Sequence, residues 1–282
     1  MKNTNIKLAE VFRDALTHKN IADIIAAHLT NTLDVRDDAL NGLDLTQAKN
    51  ILDLGCGFGF FTKALHDRVH PEAKITGIDC HPQYETLYLN ACNEVGIHGE
   101  FNSAGASIIN QFDSNTFDLI LCSYALYYFP GYISEISRIL KKDGIFVAVT
   151  HSKPHMSEFT LYVRNILLKN KMHPYGDLPY EVLIEKFTSE NATQLLYPWF
   201  RDVLTKDHIS SLVFEKENFS DFVQYFRFKH PFFIPEDQHD DEKLTEIILE
   251  TLKKDIEVNK TLKITKDDVI YICSGPLNTK GN

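Results

Sequence analysis

The chain lacks the marks of several large protein classes. Its five cysteines, Cys56, Cys80, Cys92, Cys122 and Cys273, include no C-x-x-C pair, and an odd, scattered set argues against a complete disulfide framework. Reduced thiols are the expectation. Basic side chains are outnumbered: 29 lysines and arginines stand against 39 aspartates and glutamates, a net charge of −10. That balance argues against a broad phosphate-binding face, so nucleic acid is not expected as substrate. Long apolar runs are missing as well. The longest nearly uncharged apolar stretch, residues 119–129, is too short to cross a bilayer, and the first twenty residues lack the apolar core and small-residue cleavage site of a secretory signal. A cytoplasmic protein without membrane attachment is the reading. There is no internal repeat and no low-complexity tract.

What is present is enough apolar material for a substantial core, 44% of 282 residues, and one unusually informative stretch. Ile51-Leu52-Asp53-Leu54-Gly55-Cys56-Gly57-Phe58-Gly59 joins a buried-strand pattern to a glycine-dense turn. Such a turn lets a ligand touch the main chain itself. A dinucleotide loop, G-x-G-x-x-G, would need a third glycine where Phe60 stands. The spacing is instead D-x-G-x-G-x-G, and it resembles motif I of the class I S-adenosylmethionine-dependent methyltransferases.

The rest of the chain is read around that turn. Apolar residues between 5 and 29 fit one or two amphipathic helices, followed by a polar segment that breaks at Asn41-Gly42. Strand one covers residues 50–54, and a helix is expected over 60–69. Lys74 to Asp79 reads as strand two ending on a carboxylate, with a helix from Pro82 to Val95 beyond it. A short third strand at 100–102 leads to Ser103-Ala104-Gly105-Ala106-Ser107, and residues 117–123 form the uninterrupted apolar run of a central parallel strand. A helix over 133–140 and a strand over 145–150 complete five strands in alternation with helices. That order implies a doubly wound α/β fold. The resemblance extends it to a seven-stranded, mostly parallel sheet whose last strand is antiparallel. Residues 200–215 are read as a long sixth strand and 269–273 as the last. The expected domains are an N-terminal helical cover (1–46), the cofactor-binding core (47–216 and 262–282) and a helical cap inserted between strands six and seven (217–261). The H-x-x-E segment His151 to Glu158, entering a helix with Pro154 in its first turn, and the F-x-x-E-N-A segment at 187–192 resemble a branch of small-molecule methyltransferases.

Site residues follow from the residues and from the resemblance together. Asp79, twenty residues beyond Gly59, is placed to accept hydrogen bonds from a ribose diol; its alternative role is a helix N-cap. The resemblance implies that Asp53 holds the amino group of the methionine moiety, that Gly55, Gly57 and Gly59 leave room for its chain, and that Cys80 packs on adenine. It also places Gly105, Ala106 and Ser123 around the cofactor, with Gly105 standing where many relatives carry an adenine-binding acid. Ser103 and Ser107 are substitutes for that contact. For catalysis the candidates are His151 and His155 as general base and Tyr128, one of four tyrosines between 124 and 132, as an acceptor-site residue; capping and core packing are the structural alternatives. His151, His155 and Glu158 have spacing compatible with a metal, yet no fourth ligand accompanies them and no metal is expected. The implied function is methyl transfer from S-adenosylmethionine to a small apolar or aromatic metabolite, enclosed by the N-terminal helices and the late insert. No membrane partner is expected, and a homodimer is compatible with the sequence. Two other readings stand beside it: an aminopropyltransferase-like enzyme on the same fold, and a silent cofactor-binding subunit.

Overall fold

The computed structural model describes residues 8–153, 155–171, 177–235 and 242–277. In chain order its strands are β1 (Asn50–Leu54), β2 (Lys74–Ile78), β3 (His98–Asn102), β4 (Phe117–Ser123), β5 (Leu140–His151), β6 (Phe200–His208), β7 (Ser211–Glu215), β8 (Thr261–Thr265) and β9 (Asp268–Pro276). Its helices are α1 (Ala15–His28), α2 (Val35–Leu40), α3 (Glu85–Glu94), α4 (Ile133–Ile139), α5 (Ser157–Lys169), α6 (Pro179–Ile184), α7 (Ala192–Leu196), α8 (Phe219–Phe233) and α9 (Glu242–Asn259). Two compact units result. One comprises Leu33–Ser152, Lys186–His208 and Asp268–Asn282; the other comprises Met1–Thr32, Lys153–Glu185 and Ile209–Asp267.

The first unit is built on a seven-stranded sheet in the order β3-β2-β1-β4-β5-β9-β6. The strands β1 to β5 run parallel, and β9 lies antiparallel between β5 and β6. Its central strands bury successive residues on both faces, as in Leu119-Ile120-Leu121-Cys122 and Phe146-Val147-Ala148-Val149, which is why they read as unbroken apolar runs. From β1 the chain moves outward through β2 and β3, then returns to the other side of β1 to begin β4. This reversal opens a crevice at the carboxyl ends of β1 and β4, where open α/β sheets bind ligands.

The second unit packs α1, α5, α6, α8 and α9 with a two-stranded sheet of β7 and β8. Its core is aromatic: Phe222, Phe226 and Phe233 of α8 surround Phe159 of α5 with ring centroids 6.0, 6.1 and 5.0 Å away. These residues recur at helical spacing, so one face of α8 carries them all. The imidazole of His28 ties α1 into the unit, its Nδ1 3.0 Å from the carbonyl of Val213 and its Nε2 3.0 Å from Asp221.

Three expectations are corrected. No α-helix follows the glycine turn; residues Thr62–Leu65 form a single 3-10 turn, Thr62 gives its hydroxyl to Asp53, and Asp67 at φ +55° takes the backbone out of helical geometry. The supposed long sixth strand is two strands in two sheets. It breaks at Ile209-Ser210, where the Ser210 N–H donates to Asp267 Oδ1 at 3.0 Å and the Ser210 carbonyl accepts from Lys266 N–H at 2.9 Å. Finally, the division of the chain differs from a cover plus one insert. Residues 33–46 stay with the sheet unit, held by Asp38, whose Oδ2 lies 2.7 Å from His208 Nδ1 and which also pairs with Lys206; residues 153–185 and 209–267 join 1–32 in the second unit. The F-x-x-E-N-A segment is a turn into α7, with Asn191 Oδ1 accepting from Thr188 N–H at 2.9 Å. Pro154 and residues 236–241 of the charged break lie outside the described residues. Among the described residues, no helix is long and apolar enough to cross a membrane.

Candidate active site

The glycine turn leaves β1 and is sewn to the end of β2: the N–H groups of Gly55 and Cys56 both donate to the carbonyl of Ile78, at 2.7 and 3.0 Å. The glycines of the turn do different work. At Gly55, with φ +76°, a Cβ would lie 2.4 Å from the Cβ of Ala125, so the segment after β4 closes directly on this residue. At Gly59 a Cβ would meet Ala91 of α3 at 2.7 Å. Only at Gly57, of these three, would a Cβ meet no clash, the nearest atom being Tyr84 Cε1 at an ordinary contact distance of 3.9 Å. The expectation that all three leave ligand room therefore narrows to Gly57; the other two serve packing.

Two carboxylates flank this turn. Asp53, 1% exposed, accepts the Thr62 hydroxyl on Oδ2 at 2.7 Å, while its Oδ1 is buried without a hydrogen-bond partner. Burial pushes its carboxyl up to about 7, the Thr62 hydrogen bond opposing and the Asp79 charge adding to the rise. Asp79 follows β2 and accepts from Gly57 N–H on Oδ2 and from His81 N–H on Oδ1, both at 3.0 Å. Its carboxyl is also raised by burial, against the pull of these two donors. The N-cap alternative fails in its simple form: His81 caps the 3-10 turn Pro82–Tyr84 without a side-chain bond, and the Asp79 carboxylate instead reaches across to the glycine turn. Gly105 takes φ +69°, donates its N–H to the Asp79 carbonyl at 3.1 Å, and lies against Cys80. Cys80 is exposed, Ala106 opens the 3-10 segment Ala106–Gln111, and Ser103 and Ser107 are exposed beside it. Ser123 is half-buried at the end of β4.

A second constellation occupies the carboxyl ends of β4 and β5. Tyr124, held at φ +53°, donates its hydroxyl to Asp268 Oδ2 at 2.7 Å. His151, the last residue of β5, sets Nδ1 2.9 Å from Asp268 Oδ1. The rings of Tyr124 and Tyr127 lie nearly parallel to the imidazole, at 5.1 and 5.9 Å. Tyr128 closes the 3-10 turn Leu126–Tyr128 with its ring 5.0 Å from that of Tyr127, and its hydroxyl is buried without a partner. His155 belongs to the other unit, where its Nδ1 lies 3.1 Å from the carbonyl of Asp267. Glu158 accepts from the N–H and hydroxyl of Thr265, so the H-x-x-E segment folds as a turn stitched to β8. Asp268 was not singled out from the sequence; the signal available was its place in Lys-Asp-Asp just before the apolar run of the last strand. The buried thiols of Cys56 and Cys122 are pushed up by desolvation, which suits packing rather than nucleophilic work.

A family model described as "Methyltransferase domain" matches residues 51–144, the span from the first strand through the glycine turn to β4 and beyond. Over this span the chain is similar to methyltransferase domains. Similar proteins include demethylmenaquinone methyltransferases of Geobacillus stearothermophilus, 28% identical over 127 residues, and of Lactococcus lactis, 32% identical over 132 residues. Each alignment covers 44% of this chain, and 54% and 52% of the relative. The chain thus spans about half the length of the curated relatives it matches. The crystal structure of YcgJ from Bacillus subtilis shares the fold, with a TM-score of 0.50 at 17% identity, covering 85% of this chain and 96% of that one.

The glycine turn and its two flanking carboxylates offer features that fit a sulfonium cofactor such as S-adenosylmethionine. The partnerless buried oxygen of Asp53 suits an ammonium group. Gly57 is free of close packing, and Asp79 retains acceptor capacity beyond the two N–H groups it already binds.

Proposed function

We propose that the protein transfers the methyl group of S-adenosylmethionine to a small-molecule acceptor at the carboxyl edge of its seven-stranded sheet. The observation that carries this reading is the buried, partnerless Oδ1 of Asp53, two residues before the glycine turn begins. Asp53 receives the amino group of the methionine moiety, and Asp79 receives the ribose hydroxyls. Cys80, Gly105 and Ala106 border the adenine, and Ser123 lines the route from cofactor to acceptor. When bound, the cofactor supplies an electrophilic methyl group on a sulfonium whose leaving group is neutral, so the protein need only position, desolvate and accept a proton. His151 serves as the general base, and Tyr127 and Tyr128 form an aromatic wall suited to an apolar or aromatic acceptor.

Calorimetry with S-adenosylmethionine and S-adenosylhomocysteine tests the reading. Both should bind, and Asp79→Ala should weaken both by about tenfold or more, as for loss of a charge-assisted pair of hydrogen bonds. Absence of binding by folded wild-type protein would refute it. Binding without methyl transfer to any of a broad panel of small molecules would favour a silent subunit instead.

A further inference from the structure

We propose that Asp268 is the positioning residue that makes His151 a base, and that the acceptor accordingly carries an ionisable O–H or N–H, as a phenol or an azole does. This rests on the function proposed above. Asp268 is the first residue of β9, and the antiparallel register sets it opposite His151, the last of β5. The same register sets it opposite His208 of β6 on its other side, but His208 gives its Nδ1 to Asp38. His151 gives its Nδ1 to Asp268.

The carboxylate of Asp268 is 3% exposed, and each of its oxygens faces a donor, the Tyr124 hydroxyl on Oδ2 and the His151 imidazole on Oδ1. Two such bonds hold a buried carboxylate ionised and in one orientation. An ionised carboxylate has no proton to give, so Nδ1 of His151 carries one, and the basic lone pair of the neutral ring resides on Nε2. Tyr124 is not a competing base. Burial and the Asp268 charge hold its phenol well above the usual range, so it stays a donor. The imidazole plane is fixed on its faces too, inclined by 28° to the ring of Tyr124 and by 23° to that of Tyr127. Gly55 connects this constellation to the cofactor turn: its lack of a Cβ lets Ala125, the residue after Tyr124, lie against it.

Burying a charge is costly unless it is paired, and this pairing fixes which imidazole nitrogen carries the proton. A tertiary amine or thioether has no proton to lose on methylation and needs no base. A phenol or azole does. As the acceptor oxygen or nitrogen forms its bond to the methyl carbon, the carbon–sulfur bond breaks with its electron pair going to sulfur. The acceptor's proton passes to Nε2 of His151, and Asp268 stabilises the imidazolium.

Calorimetry with S-adenosylhomocysteine separates the two readings. If folded wild-type protein does not bind it, the proposed function fails; if it binds, two further measurements decide the inference. In protein labelled with 15N-histidine at about pH 8, long-range 1H–15N spectra of His151, assigned with His151→Gln, should show a protonated Nδ1 and an unprotonated Nε2. This measurement needs no folded Asp268 variant. With tritiated S-adenosylmethionine and a panel of phenols, azoles, tertiary amines and thioethers, methylation should be confined to phenols and azoles. On the best of them Asp268→Asn should lower kcat about 100-fold or more, leave KM for S-adenosylmethionine within about threefold, and be partly rescued by Asp268→Glu. A wild-type His151 protonated on Nε2 alone, an Asp268→Asn kcat within about threefold of wild type, or no methylation of any phenol or azole would each overturn the inference.

Discussion

Asp53 gives the fold a pH dependence that can be isolated from every other titrating group. Its carboxyl rises from the 3.8 of a free aspartate to about 7 in the folded protein, chiefly through burial. The ionised form is therefore disfavoured in the fold and unpenalised in the unfolded chain. Below about pH 3.8 both states hold the proton and nothing is lost. As pH rises from there towards 7, the unfolded chain releases its proton while the fold retains it, so stability falls, and the loss levels off above the folded value. Between pH 5 and pH 8 the single group should remove about 3 kcal/mol. Asp53→Asn abolishes the titration but keeps the size and the acceptor for Thr62. Urea unfolding of wild type and variant at both pH values gives the difference in stability, and the difference between the two pH values cancels all other ionisations. The Asp53→Asn variant should gain on wild type by about 3 kcal/mol over this interval, whatever its absolute stability. A gap that stays constant within about 0.5 kcal/mol would show that Asp53 ionises freely in the fold, and the argument from its buried, partnerless oxygen would fall.

Gly55→Ala adds a methyl 2.4 Å from the Cβ of Ala125 at a positive φ, and should cost about 2 kcal/mol or more in urea unfolding while weakening S-adenosylhomocysteine binding; a variant with wild-type values for both would remove Gly55 as the clamp between turn and tyrosine segment. Tyr128→Phe deletes a buried hydroxyl without a partner, so the ligand-free protein should be as stable as wild type or up to about 1 kcal/mol more stable. A loss of that size in a thermal melt would mean the hydroxyl is satisfied after all.

The fold of the sheet unit was legible because its central strands are buried on both faces and therefore spell themselves out as apolar runs. Asp53, Gly57 and Asp79 could be singled out for that reason, since a short loop after a parallel strand has nowhere to go but the carboxyl edge. The long sixth strand misled. Residues 200–215 keep an extended pattern across Ile209-Ser210, and nothing local marks the switch from one sheet to another that Asp267 and Lys266 enforce through Ser210. His155 and Glu158 misled in another way, because a one-turn spacing from His151 looks the same whether the turn faces a site or is stitched to a strand by Thr265.

By itself, then, the sequence determined the D-x-G-x-G-x-G turn, the succession of parallel strands, and which carboxylates stand at the strand ends, all of which are set by local pattern and by the short reach of loops. Only tertiary structure decided the rest. It split the three glycines into two that pack against other side chains and one where a Cβ would meet no clash, because that depends on Ala125 and Ala91 arriving from elsewhere in the chain. It also brought Asp268 to His151 across 117 residues through the register of one antiparallel strand, a distance over which neither spacing nor composition carries any information.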